Sequence, residues 1–190
     1  NALGKLIASS GLKDLGVHTE MLVDSYIDMF EQGCISNNKK KVYPGKMVYT
    51  FAFGSQRLYD FMDNNPFLTS YPVNMVNDPK IITANPDVVS INNCLEVDLY
   101  SQVSSESNGF RHITGTGGQW DFVYGAFHSE GGKSFKPLTS FCPARILNIE
   151  GIPNASTEFF SFLGSGTSSK YIGASLVVFQ RDSIAASFVG

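Results

Sequence analysis

Three times along these 190 residues an apolar, β-rich run breaks at a glycine or polar turn and then resumes at helical spacing, and this alternation limits the fold more than any other feature. Leu15 to His18 predicts a short strand. Leu22, Tyr26, Met29 and Phe30 follow at helical spacing, with Gly33 placed just past the last turn. Met47 to Phe53 predicts a second strand, Gly54-Ser55 breaks it, and Leu58, Phe61 and Met62 resume the helical period. Val88 to Leu99 reads as a longer strand or a pair of strands, and Gly115 to Gly118 leads into a helix with Phe122, Ala126 and Phe127 on one face. Ahead of the first unit, Leu3, Leu6, Ile7 and Leu12 predict a short helix that stops near Gly11. Repeated alternation of this kind predicts an α/β domain: an open, largely parallel sheet flanked by helices. In such sheets ligands sit beyond the carboxyl ends of the strands, and Thr19-Glu20-Met21 is expected at one of these strand-to-helix junctions.

The last third has another texture. Beyond Cys142 serine and glycine are frequent, charge patterning fades, Leu163 to Tyr171 reads as an exposed loop, and Ala174 to Gln180 is the one clear strand.

With 43% hydrophobic and 16% charged residues the chain has enough apolar side chain for one full core, so a soluble globular domain is expected. A net charge of −3 argues against nucleic acid, and the one basic run, Lys39-Lys40-Lys41, reads as a solvated loop. No apolar stretch approaches the ~20 residues that span a bilayer. Cys34, Cys94 and Cys142 form no CxxC pair, and His18, His112 and His128 have no partner at helical spacing. Neither a disulfide framework nor a metal site is expected, and a reducing compartment fits best.

The run Gly115-Thr116-Gly117-Gly118-Gln119 removes side chains just ahead of a helix, where backbone amides can close on an anion. Tight geometry alone accounts for such a cluster equally well. Glu20 has two readings: a carboxylate projecting over the sheet, or an acidic residue in a first helical turn favoured by the macrodipole. Glu96 and Asp98 share one polar face of a strand, which reads as a wet face. Asn64-Asn65-Pro66 and Asn77-Asp78-Pro79 read as loop corners without chemistry. Lys133 follows two glycines but lacks the GxxxxGK[ST] spacing of a phosphate loop, and no GxSxG elbow occurs.

Taken in order, Leu15-Gly16-Val17-His18-Thr19-Glu20-Met21 with Asp24, Gly54-Ser55-Gln56-Arg57-Leu58-Tyr59-Asp60-Phe61 with Asn64-Asn65-Pro66, and Tyr71-Pro72-Val73-Asn74 with Asn77-Asp78-Pro79 resemble the acetyl-CoA hydrolase/transferase family. Ile91-Asn92-Asn93-Cys94-Leu95-Glu96-Val97-Asp98-Leu99 and the glycine run continue the likeness, which covers residues 12 to 140. The branch it resembles is that of the 4-hydroxybutyrate and butyrate:acetate CoA-transferases. Ser101 stands where that family usually has glycine, and its closing Val-Thr-Glu-Tyr-Gly strand is not found.

The resemblance implies a family fold of two similar α/β halves, with residues 1–142 forming most of the second and residues 143–190 an atypical tail. It implies that Glu20 is the catalytic nucleophile, attacking an acyl-CoA thioester and passing through a mixed anhydride to a glutamyl-CoA thioester. Gly115, Gly117, Gly118 and Gln119 are expected to hold the CoA thioester arm or the oxyanion, and Gly54, Ser55 and Asn74 to touch substrate. It further implies coenzyme A and a short-chain carboxylate (acetate, butyrate or 4-hydroxybutyrate) as substrates, with no tightly bound cofactor. A first half or partner subunit is expected to complete the cleft, in a cytoplasmic or, in a eukaryote, mitochondrial homo-oligomer. Acyl-CoA hydrolysis and a non-catalytic CoA-binding or subunit fragment are the alternatives.

Overall fold

In the computed structural model, residues 2–97, 103–108, 110–135 and 176–179 are described, with the backbone alone at 96, 97, 108 and 176–179. The elements run α1 (Ala2–Ser9), β1 (Gly16–Leu22), α2 (Ser25–Glu31), β2 (Met47–Ala52), α3 (Gln56–Met62), β3 (Leu68–Ser70), α4 (Val73–Val76), α5 (Pro79–Thr83) and β4 (Val88–Ile91). Then come two small ribbons, β5 (Glu96–Val97) with β6 (Val103–Ser104) and β7 (Ser107–Asn108) with β8 (Arg111–His112). α6 (Gln119–His128), β9 (Lys133–Phe135) and β10 (Leu176–Phe179) complete the set.

The main sheet has the order β3-β2-β1-β10-β4-β9. β1 with β2, β2 with β3, and β4 with β9 are parallel, as βα alternation requires. β10 lies between β1 and β4 and runs antiparallel to both. The α/β expectation is met, with one central antiparallel strand supplied by the segment that Ala174 to Gln180 marked.

Strand alternation sorts the core into two layers. On β2, Met47 and Tyr49 join Val17, Tyr26, Met29 and Leu58 under α2 and α3, while Val48 points the other way and joins Val76, Ile82, Phe122 and Ala126 under α4, α5 and α6. The same alternation along β1 sends Val17 to the first layer. His18, two residues before Glu20, packs on Val76 and Phe122 in the second. The face of the sheet that carries Glu20 is therefore the one covered by α4 and α6.

Three expectations need correction. β1 runs on to Leu22, because Met21 and Leu22 pair with Phe51 and Ala52 of β2, so Glu20 is inside a strand and the junction falls at Val23 and Asp24. Of the two readings of Val88 to Leu99 the pair of strands holds: β4 stops at Ile91, and β5 belongs to a separate ribbon. Phe127 does not share the buried face of α6: it is 79% exposed, since it lies five residues from Phe122 whereas Ala126 lies four.

Lys40 is not solvated. It is 4% exposed, and its ammonium donates to the carbonyls of Val17 at 2.8 Å and Lys46 at 2.7 Å, closing the loop after Asn37 onto the start of β1. Desolvation lowers its pKa to about 7. Its neighbour Lys39 stays exposed, beside Asp14 at 3.5 Å. Asp98, Ser101, Cys142, the loop at 163–171 and the boundary between 142 and 143 lie outside the described residues.

Candidate active site

Glu20 is half-buried near the carboxyl end of β1, at the wall of an open cleft of about 570 Å³. Val73, Asn74, Asn77, Asp78, Pro79, Thr116, Gly117 and Asp121 form the rest of the lining. Three segments thus converge on the carboxylate: the end of α4, the start of α5 and the start of α6.

The α4–α5 corner is set by its sequence. Asn77 ends α4, its N–H donating to Val73 O at 2.8 Å, and Asp78 then caps α5 by accepting from Lys80 N at 2.9 Å, with Pro79 in the first turn. This corner leaves the Asn77 side chain aimed at β1, where Nδ2 donates to Glu20 Oε2 at 3.0 Å. Hydrogen bonds to a carboxylate are among the stronger ones, so this contact orients the group as well as binding it. One residue earlier at the end of α4, the Val76 carbonyl accepts from His18 Nε2 at 2.7 Å within a fully buried site. Burial holds the His18 pKa down at about 4, so the ring is neutral at pH 7 and the hydrogen bond fixes its proton on Nε2.

The glycine run closes the opposite wall. Gly118 is the N-cap of α6, and a Cβ built there would lie 2.1 Å from Glu20 Oε2 and 2.3 Å from Asn77 Nδ2. Only a residue without a side chain fits against this pair. Gly117 has a φ of 53°, in the left-handed region that glycine tolerates best. The start of α6 borders the cleft, with Thr116 and Gly117 just ahead of it and Asp121 in its first turn among the lining. Asp121, in that turn, has its pKa raised by burial, by Glu20 and by Asp78. Among the residues lining the cleft three are carboxylates and none is basic.

The predicted residues separate into two groups. Glu20, Asn74 and Gly117 line the cleft, and Gly118 packs on Glu20. Gln119 opens α6 half-buried just beyond, while Gly115 is exposed, with nothing near its Cβ position. Gly54 and Ser55 do not line the cleft. Ser55 Oγ donates to Asp24 Oδ1 at 2.6 Å and its N–H to the same carboxylate at 3.1 Å, while Gly54 lets Asp24 and Leu58 approach, so the pair shapes the β2–α3 turn. Sequence reasoning missed Asn77, Asp78, Asp121 and His18. The Asn-Asp-Pro corner was visible as a helix-cap signal, but its reach to Glu20 was not. Among the described residues no group of three His, Cys, Asp or Glu is placed to hold a metal ion, and no helix is long and apolar enough to cross a membrane.

An α/β domain with a strand-borne carboxylate set between an asparagine and a glycine-rich helix start is the class that fold and site define. Residues 54–154 match the acetyl-CoA hydrolase/transferase C-terminal domain, and the chain belongs to that family. It is 55% identical over 140 residues to a probable butyrate:acetyl-CoA coenzyme A-transferase of Syntrophomonas wolfei, covering 74% of this chain and 31% of that protein. It is 48% identical over 128 residues to a 4-hydroxybutyrate coenzyme A transferase of Clostridium kluyveri, covering 67% of this chain and 30% of that one. Among solved structures, RipA from Yersinia pestis superposes with a TM-score of 0.63 at 40% identity, over 72% of this chain and 30% of that protein. The chain thus spans about three-tenths of the length of the relatives it matches.

Proposed function

We propose that this chain carries the nucleophile of a CoA-transferase, and that the nucleophile is Glu20. The observation that carries the reading is the placement of the Glu20 carboxylate at the cleft wall, hydrogen-bonded by Asn77 and fitted against Gly118. In this reading a Glu20 oxygen attacks the thioester carbonyl carbon of an acyl-CoA, the carbon–sulfur bond breaks, and CoA leaves as the thiolate. The thiolate then attacks the glutamyl carbonyl of the mixed anhydride, releasing the first carboxylate and leaving a glutamyl-CoA thioester. An incoming short-chain carboxylate attacks that carbonyl and frees the thiolate again, which takes the new acyl group and regenerates Glu20. No net proton moves over the cycle.

The residues around Glu20 have matching roles. Asn77 aims the carboxylate, and its amide is a donor for charge that builds up at the reacting carbonyl; removing such a donor typically costs ~3 kcal/mol. The start of α6 supplies further main-chain donors. Acetate, butyrate and 4-hydroxybutyrate are the acids proposed, with CoA as a passing substrate and not a resident cofactor. The remaining cleft wall is assigned to the part of the relatives' length that this chain does not span.

The test is trapping. The chain, alone and combined with the part of a relative that precedes the matched region, is mixed with acyl-CoA and reduced with borohydride, and the peptide bearing Glu20 is weighed. Reductive modification at Glu20 is expected and should vanish in Glu20→Gln; an unmodified Glu20 in the combined, folded protein refutes the assignment. Release of free thiol that needs no added carboxylate would move the reading to hydrolysis.

A further inference from the structure

The reading of Glu20 as nucleophile leaves the buried His18 imidazole unused, and its geometry ties it to the site. His18 and Glu20 are two residues apart on β1, so both point to the layer under α4 and α6, roughly 7 Å apart along the strand. Val76 and Asn77 at the end of α4 face them in matching order. His18 Nε2 holds the main-chain carbonyl of Val76 at 2.7 Å, and the next residue's side chain reaches Glu20 Oε2 at 3.0 Å. These are two successive rungs between one strand and one helix end.

The imidazole itself has little freedom. It is fully buried, and its ring meets that of Phe122 edge-on at 6.2 Å. Phe122 belongs to the helix whose cap, Gly118, fits against Glu20, and the Phe122 N–H bonds to Gly118 O at 3.2 Å. One side chain thus braces both walls that confine the carboxylate. A buried N–H needs an acceptor, and the one that His18 takes is the carbonyl that precedes Asn77, while Nδ1 is buried without a hydrogen-bond partner, so the Val76 contact is what anchors the ring.

We propose that His18 is a positioning residue for Glu20: by holding the Val76 carbonyl it fixes the corner from which Asn77 orients the carboxylate. The proposal rests on the reading of Glu20 as nucleophile for its catalytic consequence, though not for its geometry. His18 makes no contact with substrate in this scheme. It acts through Asn77, and its neutral ring serves as a fixed donor and not as an acid or base.

Nitrogen NMR on the full chain tests the geometry without turnover. The His18 ring is expected to carry its proton on Nε2 at pH 7, and the Asn77 side-chain amide signal is expected to move in Glu20→Gln. His18→Leu, which keeps bulk but not the donor, should shift the Asn77 signal toward that of a free amide while the chain still unfolds cooperatively. His18→Gln, whose Nε2 can reach the same carbonyl, should restore it. A ring protonated on Nδ1, or an Asn77 signal unchanged in folded His18→Leu, overturns the proposal. If His18→Leu does not fold, the tautomer and the His18→Gln signal decide.

In the trapping assay, His18→Leu should slow Glu20 modification by about 100-fold with little change in the acyl-CoA concentration that half-saturates it, the scale of loss for a reacting group misplaced by ~1 Å. Partial rescue in His18→Gln is expected. If wild-type Glu20 never labels, the nucleophile reading fails while the Asn77 signal still decides the positioning.

Discussion

Replacing Gly118 with alanine is the sharpest test of the site, because it adds one carbon at a known place. The new Cβ would sit 2.1 Å from Glu20 Oε2 and 2.3 Å from Asn77 Nδ2, where ordinary contact begins at 3.4 Å. The two groups must therefore retreat by about 1.3 Å and 1.1 Å respectively, and their 3.0 Å hydrogen bond cannot survive in its present direction. A displacement on the order of 1 Å costs ~100-fold in rate, or about 2.7 kcal/mol of transition-state stabilisation.

Stability should respond much less. Gly118 has φ −90° and ψ 9°, which an L-residue accepts, and alanine lowers the entropy of the unfolded chain by ~0.4–1 kcal/mol. Against this stands the strain of moving the Glu20 side chain, which the adjacent open cleft lets swing away. Rates of Glu20 trapping and thermal midpoints, measured on the same samples, separate the two effects. A Gly118→Ala protein that labels Glu20 at the wild-type rate would refute the reasoning, since the carboxylate would then not need the space that glycine leaves.

Other outcomes follow from the same contacts. Lys40 is held at a pKa of about 7, below its ordinary 10.5, so between these values the unfolded chain binds more protons. Stability should rise as pH goes from 7 toward 10.5, and denaturant midpoints of Lys40→Met should lack that slope; an equal slope would remove the effect from Lys40. His18, lowered from 6.5 to about 4, contributes stability that is present above pH 6.5 and lost as pH falls through 4, about 3 kcal/mol in all. His18→Gln should flatten that acid limb. Gly125→Ala would put a Cβ 2.5 Å from Ile82 Cγ2 where α6 crosses α5, and an overpacking loss of ~1–3 kcal/mol in urea unfolding is expected.

What could be read from the sequence, and what could not, divides by distance along the chain. Periodicity located β1, β2, β4 and β10 with α1, α2, α3 and α6 because each is a local pattern, and Gly54-Ser55 marked a real turn for the same reason, but the three-residue strands β3 and β9 are too short to show a period. Element ends were harder. β1 extends through Glu20 to Leu22 because β2, nearly thirty residues on, supplies pairing partners that no local window contains. Lys40 looked solvated within a run of lysines, yet the loop that carries it folds against the start of β1 and two carbonyls accept its hydrogen bonds.

The glycine run was legible as a place where something approaches closely, and what approaches Gly118 proves to be Glu20 and Asn77. The role of Asn77 was hidden for the opposite reason. Asn-Asp-Pro satisfies the local demands of a helix end and a helix start so completely that nothing in the triplet announces a second duty.

The charge of the cleft bears on how much of a site this chain provides. Glu20, Asp78 and Asp121 line one opening with no basic residue among its lining, which makes the local field negative; burial first, and then the other two carboxylates, raise the Asp121 pKa. A carboxylate brought within ~4 Å of another pays about 1–4 kcal/mol, depending on how much water remains between them. A neutral thioester carbonyl, the group that the proposed function brings to this wall, pays no such cost. An incoming acid, and the phosphates of CoA, need cations that the described lining does not contain. The chain spans about three-tenths of its relatives' length, and under the proposed reading those cations are expected on the portion that it does not span, which sets Glu20 and the acid-binding groups on different parts of the fold.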